Sequence, residues 1–277
     1  MKHVKKFLYL LGVLVAIMAM VLAGTAIVQI GMEVVAEKIG FALAEDSLVQ
    51  ISGSCGIAVA AFLCAGYVKR KKYVECVYVA EKFSMVQAVF YMILSVCACR
   101  VVLDGVITLL FSSAFPVVEQ AQGSVSNVYV DLISAIIVAP MIEELLFRMG
   151  IYTLLRRKFS RVSAITICAF GFALMHGYQL QGFLSCLVAG FVFTLIYDKT
   201  GNLWYSIGAH MLCNLFAHIM NELEYAGVTW FGVPLQYEVN GYNTYHPVII
   251  IAAMAFCGAC LVRLHRHRVG EAVLQGN

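Results

Sequence analysis

The sequence predicts an all-α, polytopic membrane protein with about eight transmembrane helices, on three observations. Of 277 residues, 62% are hydrophobic and 13% charged, with a mean hydropathy of +0.86. An average soluble domain is about 45–50% apolar and 25% charged. Apolar runs stand near 7–30, 48–68, 85–112, 128–155, 161–177, 181–197, 203–221 and 247–264, most reaching the ~17–25 residues that cross a hydrocarbon core. Basic residues then gather in every second connection.

Taken in order, Lys2, Lys5 and Lys6 precede the first run, and Lys69 to Lys72 with Lys82 follow the second. Arg156, Arg157, Lys158 and Arg161 follow the fourth, Lys199 follows the sixth, and Arg263, Arg266 and Arg268 end the eighth. The alternate connections hold Lys38 as their basic residue and collect acids such as Glu33, Glu45, Glu119 and Glu222. Such asymmetry places both termini in the cytoplasm, and a bacterial cytoplasmic membrane is the expected location. The net charge of +3 therefore reports topology. It implies the lipid bilayer as partner and no nucleic acid.

The opening MKHVKK with its apolar segment imitates a signal peptide, and Val21-Leu22-Ala23 imitates a cleavage site. An uncleaved first helix is the preferred reading, because the apolar run is long. Ten cysteines lie nearly all within the runs, outside the oxidising loops, and read as small buried thiols. Cys257-x-x-Cys260 has metal spacing but no second pair. No repeat or linker interrupts the chain, so a single domain over 1–277 is predicted. The connection 222–246 carries Trp230, Phe231, Tyr237, Tyr242 and Tyr245, read as an interfacial aromatic belt. Arg100 and Asp104 on the third run are spaced i, i+4 for an ion pair.

The fourth run contains the costliest residues. Glu143, Glu144 and Arg148 stand inside it, where each charge costs about 2.5–3.5 kcal/mol at a helix centre. Glu144 and Arg148 are i, i+4 and share a face. Glu143 is rotated by about 100°, toward a different neighbour. Pro140 is expected to weaken the helix just before them. The fifth run ends at His176, while the seventh places His210 and Asn214 on one face, with His218 continuing the stripe.

Taken singly, these groups also suit helix packing: carboxylates sharing an arginine, an interfacial histidine, an interhelical asparagine. Together they supply what amide hydrolysis in a membrane requires. A buried glutamate can take a proton from water, a histidine can hold that water, and a histidine with an asparagine can donate hydrogen bonds to the developing oxyanion.

Glu143-Glu144-x-x-x-Arg148, Phe172-x-x-x-His176 and His210-x-x-x-Asn214 resemble, in order and spacing, the three motifs of the CPBP family. These are the CAAX-protease and bacteriocin-processing (Abi) intramembrane endopeptidases, which include the type II CAAX prenyl endopeptidases. The stretch from Gly190 to Asn214, with Tyr197-Asp198-Lys199-Thr200-Gly201-Asn202-Leu203-Trp204, is similar to the family's approach to its third motif. The resemblance covers about 131–217.

It implies a polar active-site cavity between helices 4, 5 and 7 and a peptide or membrane-protein substrate. Glu143 would be the base that activates water with His176, and His210 with Asn214 would form the oxyanion hole. Glu144 and Arg148 would pair to hold the site and meet the substrate's terminal carboxylate. Zinc on Glu143, His176 and His210 is one option. A metal-free glutamate mechanism is the preferred one, since no His-Glu-x-x-His helix is present. Bacteriocin processing or self-immunity is the expected setting. The competing classes are a non-catalytic membrane regulator or immunity partner, and a transporter relaying protons through Glu143 and Glu144.

Overall fold

The computed structural model describes residues 2–40, 45–73, 90, 93–94, 101–102, 104–111, 132–176, 180–230, 233–239 and 242–259. Over these the chain is an all-α polytopic membrane protein. Helices α1 (Lys2–Ile39), α2 (Glu45–Arg70) and α3 (Asp104–Phe111) come first. The fourth run alternates a π-helical stretch (Ser134–Val138), α4 (Ala139–Glu144), a second π-helical stretch (Leu145–Tyr152) and α5 (Thr153–Arg156). Then follow α6 (Arg161–His176), α7 (Leu180–Thr200) and α8 (Leu203–Tyr225), two antiparallel hairpins, and α9 (Pro247–Ala259).

Val4–Ile39, Ile51–Arg70 and Gly182–Thr200 are long and apolar enough to cross a membrane, and α6 and α9 are shorter apolar helices. Of the third run only α3 is described at length. The side chains of the expected Arg100–Asp104 pair lie outside the described ones.

Contacts separate the chain into two compact units, one of residues 1–82, 137–168 and 194–207, the other of 83–136, 169–193 and 208–277. In the first, α1 and α2 pack through small residues. A Cβ built on Gly24 would stand 3.1 Å from the Gly56 Cα, so the two backbones meet there without side chains between them. Such close approach replaces the hydrophobic effect as the source of helix association in lipid. The other side of α1 is exposed along Phe7, Leu11, Leu14, Met18 and Leu22, as suits a lipid-facing surface.

Pro140 does not break the fourth run. It lies in the first turn of α4, where a missing N–H costs little. The irregularity is taken up by the wide π turns on either side, a feature common at functional sites.

The motif run 197–204 is a helix stop and restart. Gly201 adopts φ +63, the left-handed conformation that suits glycine beyond a helix end, and its N–H donates to the Tyr197 carbonyl at 2.8 Å. Thr200 Oγ1 donates to the Ile196 carbonyl at 2.7 Å. The Asn202 side chain then accepts the Trp204 N–H at 3.0 Å, capping the start of α8. The residues of this run therefore have local structural duties.

In the second unit, β1 (Thr229–Trp230) pairs with β2 (Val233–Pro234), and β3 (Gln236–Val239) with β4 (Tyr242–Tyr245). These hairpins occupy the connection read as an aromatic belt. Tyr245 departs from that reading: it is 4% exposed and packs with Val101, Met220, Ile250 and Ala253. The hairpin pins it inward against Phe216, ring centroids 6.1 Å apart. Cys55, Cys64, Cys168, Cys186, Cys213 and Cys257 are reduced thiols.

The α1–α2 contact predicts opposite outcomes at two glycines of one helix. A Cβ on Gly56 would lie 2.1 Å from Thr25 Oγ1 and 2.7 Å from the Val21 carbonyl oxygen, whereas one on Gly53 would meet nothing within 4 Å. Gly56→Ala should lower stability by about 1–3 kcal/mol, and Gly53→Ala should leave it unchanged or raise it by up to about 1 kcal/mol. Thermal unfolding in detergent checks both; equal melting temperatures for the two variants would contradict the packing.

Candidate active site

The first unit holds the acidic–basic motif. Glu144 closes α4 and Arg148 lies one turn on, within the second π-helical stretch. Arg148 Nε reaches Glu144 Oε2 at 3.0 Å with both side chains at 0% exposure. Ser206 Oγ, from the first turns of α8, donates a short hydrogen bond to the same Oε2. The Cys168 thiol of α6 donates to the Phe147 carbonyl at 3.3 Å and adjoins Thr194 and Arg148. Ser206, Thr194 and Cys168 are themselves fully buried.

A buried ion pair is tolerable only when further hydrogen bonds complete its shells, and three other helices bring polar groups here for that purpose. With no exposed surface, Glu144 and Arg148 pair inside the helix packing. Glu143, one residue earlier, is only partly buried.

Below this cluster in sequence, the Tyr152 hydroxyl donates to Asp198, which also pairs with Arg161. Tyr152 and Tyr197 meet edge to face at 6.2 Å. This ties the end of the fourth run to the start of α6 and the end of α7.

The histidines and asparagine belong to the second unit. A Cβ on Gly190 would stand 3.0 Å from the Ala169 Cα, so α7 can run close beside α6. That closeness brings Phe193 to Phe172, edge to face at 6.4 Å. The His210 ring stacks on Phe193 at 4.8 Å and meets Phe172 edge-on at 5.7 Å. His210 is 6% exposed, held in orientation by two aromatic rings.

His176 is exposed at the end of α6, its ring 4.4 Å from that of Phe172. Its Nδ1 lies 2.9 Å from the Phe172 carbonyl oxygen. A carbonyl only accepts, so Nδ1 carries the proton of this bond. In the neutral ring the lone pair is then on Nε2, as a base or water-holding group requires. Asn214 donates from Nδ2 to the Ala135 carbonyl at 2.9 Å, in the first π-helical stretch. His218 does not extend the cluster: its Nε2 faces Glu222 at 3.9 Å on the exposed side of α8.

The structure thus joins Glu144 with Arg148, and gathers His176 and His210 about Phe172. Asn214 is tied to a backbone carbonyl. Among the described residues no three His, Cys, Asp or Glu side chains are grouped to hold a metal ion. Ser206 is the partner that sequence reading missed. Its signal was the i, i+4 series Ser206, His210, Asn214 along one face of α8.

Residues 125–216 match the family described as type II CAAX prenyl endopeptidase Rce1-like, a segment that contains all six motif residues. A curated protein of Bacillus subtilis (strain 168), "Putative membrane peptidase YdiL", is 34% identical over 93 residues, which are 34% of this chain and 37% of that protein. The chain thus spans under half the length of this relative. No solved structure matches the chain significantly. Both sequence matches support the CPBP resemblance carried by the three motifs.

The buried cluster predicts a hierarchy of stability losses. Glu144→Gln or Arg148→Met strands one charge and should cost about 3–5 kcal/mol. Ser206→Ala should cost about 1.5–3 kcal/mol. The double variant Glu144→Gln/Arg148→Met should recover part of the loss. Additive losses in a double-mutant cycle of unfolding would show that the pair does not interact.

Proposed function

We propose that the protein is a CAAX-type intramembrane endopeptidase that hydrolyses a peptide bond in a membrane-associated protein or peptide. The observation that carries this reading is the family match over 125–216, which takes in the complete ordered set Glu143, Glu144, Arg148, His176, His210 and Asn214.

In the proposed reaction Glu143 removes a proton from water as the water oxygen attacks the substrate carbonyl. His176 assists, since a ring protonated at Nδ1 presents Nε2 as acceptor to that water. The carbonyl oxygen becomes an oxyanion, which receives hydrogen bonds from His210 and Asn214. The C–N bond breaks as the proton taken by Glu143 passes to the leaving amine. Donors held in orientation before the reaction cost no rearrangement during it. The aromatic rings around His210 supply that fixation.

Glu144, Arg148 and Ser206 are positioning residues in this scheme, setting the phase of the helix that carries Glu143. No step is routed through a metal. The basic connections would face the cytoplasm, and bacteriocin processing or self-immunity is the proposed setting.

Cleavage of a quenched peptide library by detergent-purified protein tests the reading. Glu143→Ala and His210→Ala should each lower turnover by at least about 100-fold in protein that thermal unfolding shows to be folded. Turnover that survives both substitutions would remove this site. Cellular immunity or signalling retained by both inactive variants would favour the non-catalytic partner.

A further inference from the structure

Three basic segments of the first unit, distant in sequence, converge. Lys6 Nζ lies 5.7 Å from the ring centre of Phe159. The Tyr9 hydroxyl donates to the Leu154 carbonyl at 2.9 Å, so the start of α1 sits against the end of α5. At the other side, the Arg157 guanidinium lies 3.7 Å over the Tyr73 ring, and Tyr9 adjoins Arg157.

The chain beyond α2 is bent back to make this contact. Lys72 adopts φ +52, an uncommon conformation for a residue with a Cβ. Tyr73 thereby returns to meet Tyr67 edge-on at 6.0 Å. Lys69 to Lys72, Arg157 and Lys158 are exposed around these rings.

The stretches 2–9, 67–73 and 154–161 contain no carboxylate. Among the described residues, the neighbouring acid Asp198 is already engaged by Arg161 and Tyr152. The positive-inside rule asks only for cations somewhere in a connection. It does not ask that three segments meet, or that a guanidinium lie over a tyrosine ring. That contact holds Arg157 beside Tyr73 and Tyr9, and the N–H groups it does not direct to Tyr9 suit a planar or tetrahedral oxyanion.

Position identifies the occupant. The cluster stands where the apolar spans Val4–Ile39 begins and Ile51–Arg70 ends, the level of lipid headgroups. We propose that this tyrosine-lined basic end binds the phosphate of an anionic phospholipid, with Arg157 as its fixed ligand and the lysines of α1 and α2 around it. The proposal is independent of the peptidase reading.

Native mass spectrometry of the full chain, released from nanodiscs of equimolar phosphatidylcholine and phosphatidylglycerol, tests it. Wild type should retain phosphatidylglycerol in at least about threefold excess, and the excess should shrink with added salt. Arg157→Gln should reduce the excess toward the bulk ratio. Arg157→Lys, which keeps the charge but not the stacked guanidinium, should fall between, and Lys38→Gln should match wild type. Orientation in each variant is read by cysteine labelling. Retention of both lipids in the bulk ratio, or wild-type enrichment in Arg157→Gln, would overturn the proposal. So would capture of inorganic phosphate without lipid selectivity.

Discussion

The buried Glu144–Arg148 pair is the constraint around which the first unit is organised. Two full charges at 0% exposure carry a desolvation penalty of several kcal/mol each even after relaxation. Their mutual attraction does not offset that unless the remaining lone pair and N–H positions find partners. Hence Ser206 comes from α8 to the same carboxylate oxygen, and Cys168 of α6 adjoins both Arg148 and Thr194 of α7. Each is small and polar, so each fits beside the pair without forcing the helices apart. The pair costs stability in isolation and yields specificity of helix phase in return. A one-residue rotation of the fourth run would strand both charges in hydrocarbon.

That phase determines what Glu143 can do. With Glu144 committed to the interior, the adjacent carboxylate is turned by the helix to another direction and is only partly buried. Two carboxylates of the same type thus acquire different surroundings from one residue of offset. The histidines are differentiated in a comparable way. His210 is clamped between aromatic rings, suiting a donor of fixed direction. His176 is exposed, and its tautomer is set by a carbonyl on its own helix, suiting an acceptor toward water.

Much of this was legible in the sequence because membrane insertion penalises charge so heavily. The apolar runs gave the helices, and the i, i+4 spacing of Glu144 and Arg148 gave their pairing. Ser206 escaped because a lone serine in a membrane helix has no distinctive signal; only its series with His210 and Asn214 marks it. The π turns escaped because they arise from how the backbone accommodates Pro140 and its neighbours, which periodicity at 3.6 residues does not encode. Tyr245 was misplaced because aromatic composition in a connection looks the same whether the rings face headgroups or fold inward on a hairpin.

The first π stretch also explains why the third motif ends in asparagine. Wide turns leave carbonyls off the helix axis, and that of Ala135 accepts from Asn214 Nδ2 at 2.9 Å. An aspartate there would set a carboxylate against a carbonyl, two acceptors with no proton between them. A threonine has a single O–H and would spend it on that bond. An amide nitrogen has two N–H donors: one anchors the side chain to the backbone, and the bond to Ala135 does not use the other. Fixing the first is what gives the second a defined direction, the condition under which a hydrogen-bond donor stabilises a developing oxyanion without reorganisation. In the proposed mechanism the structural and the catalytic demands on Asn214 would therefore fall on the same group, one on each proton.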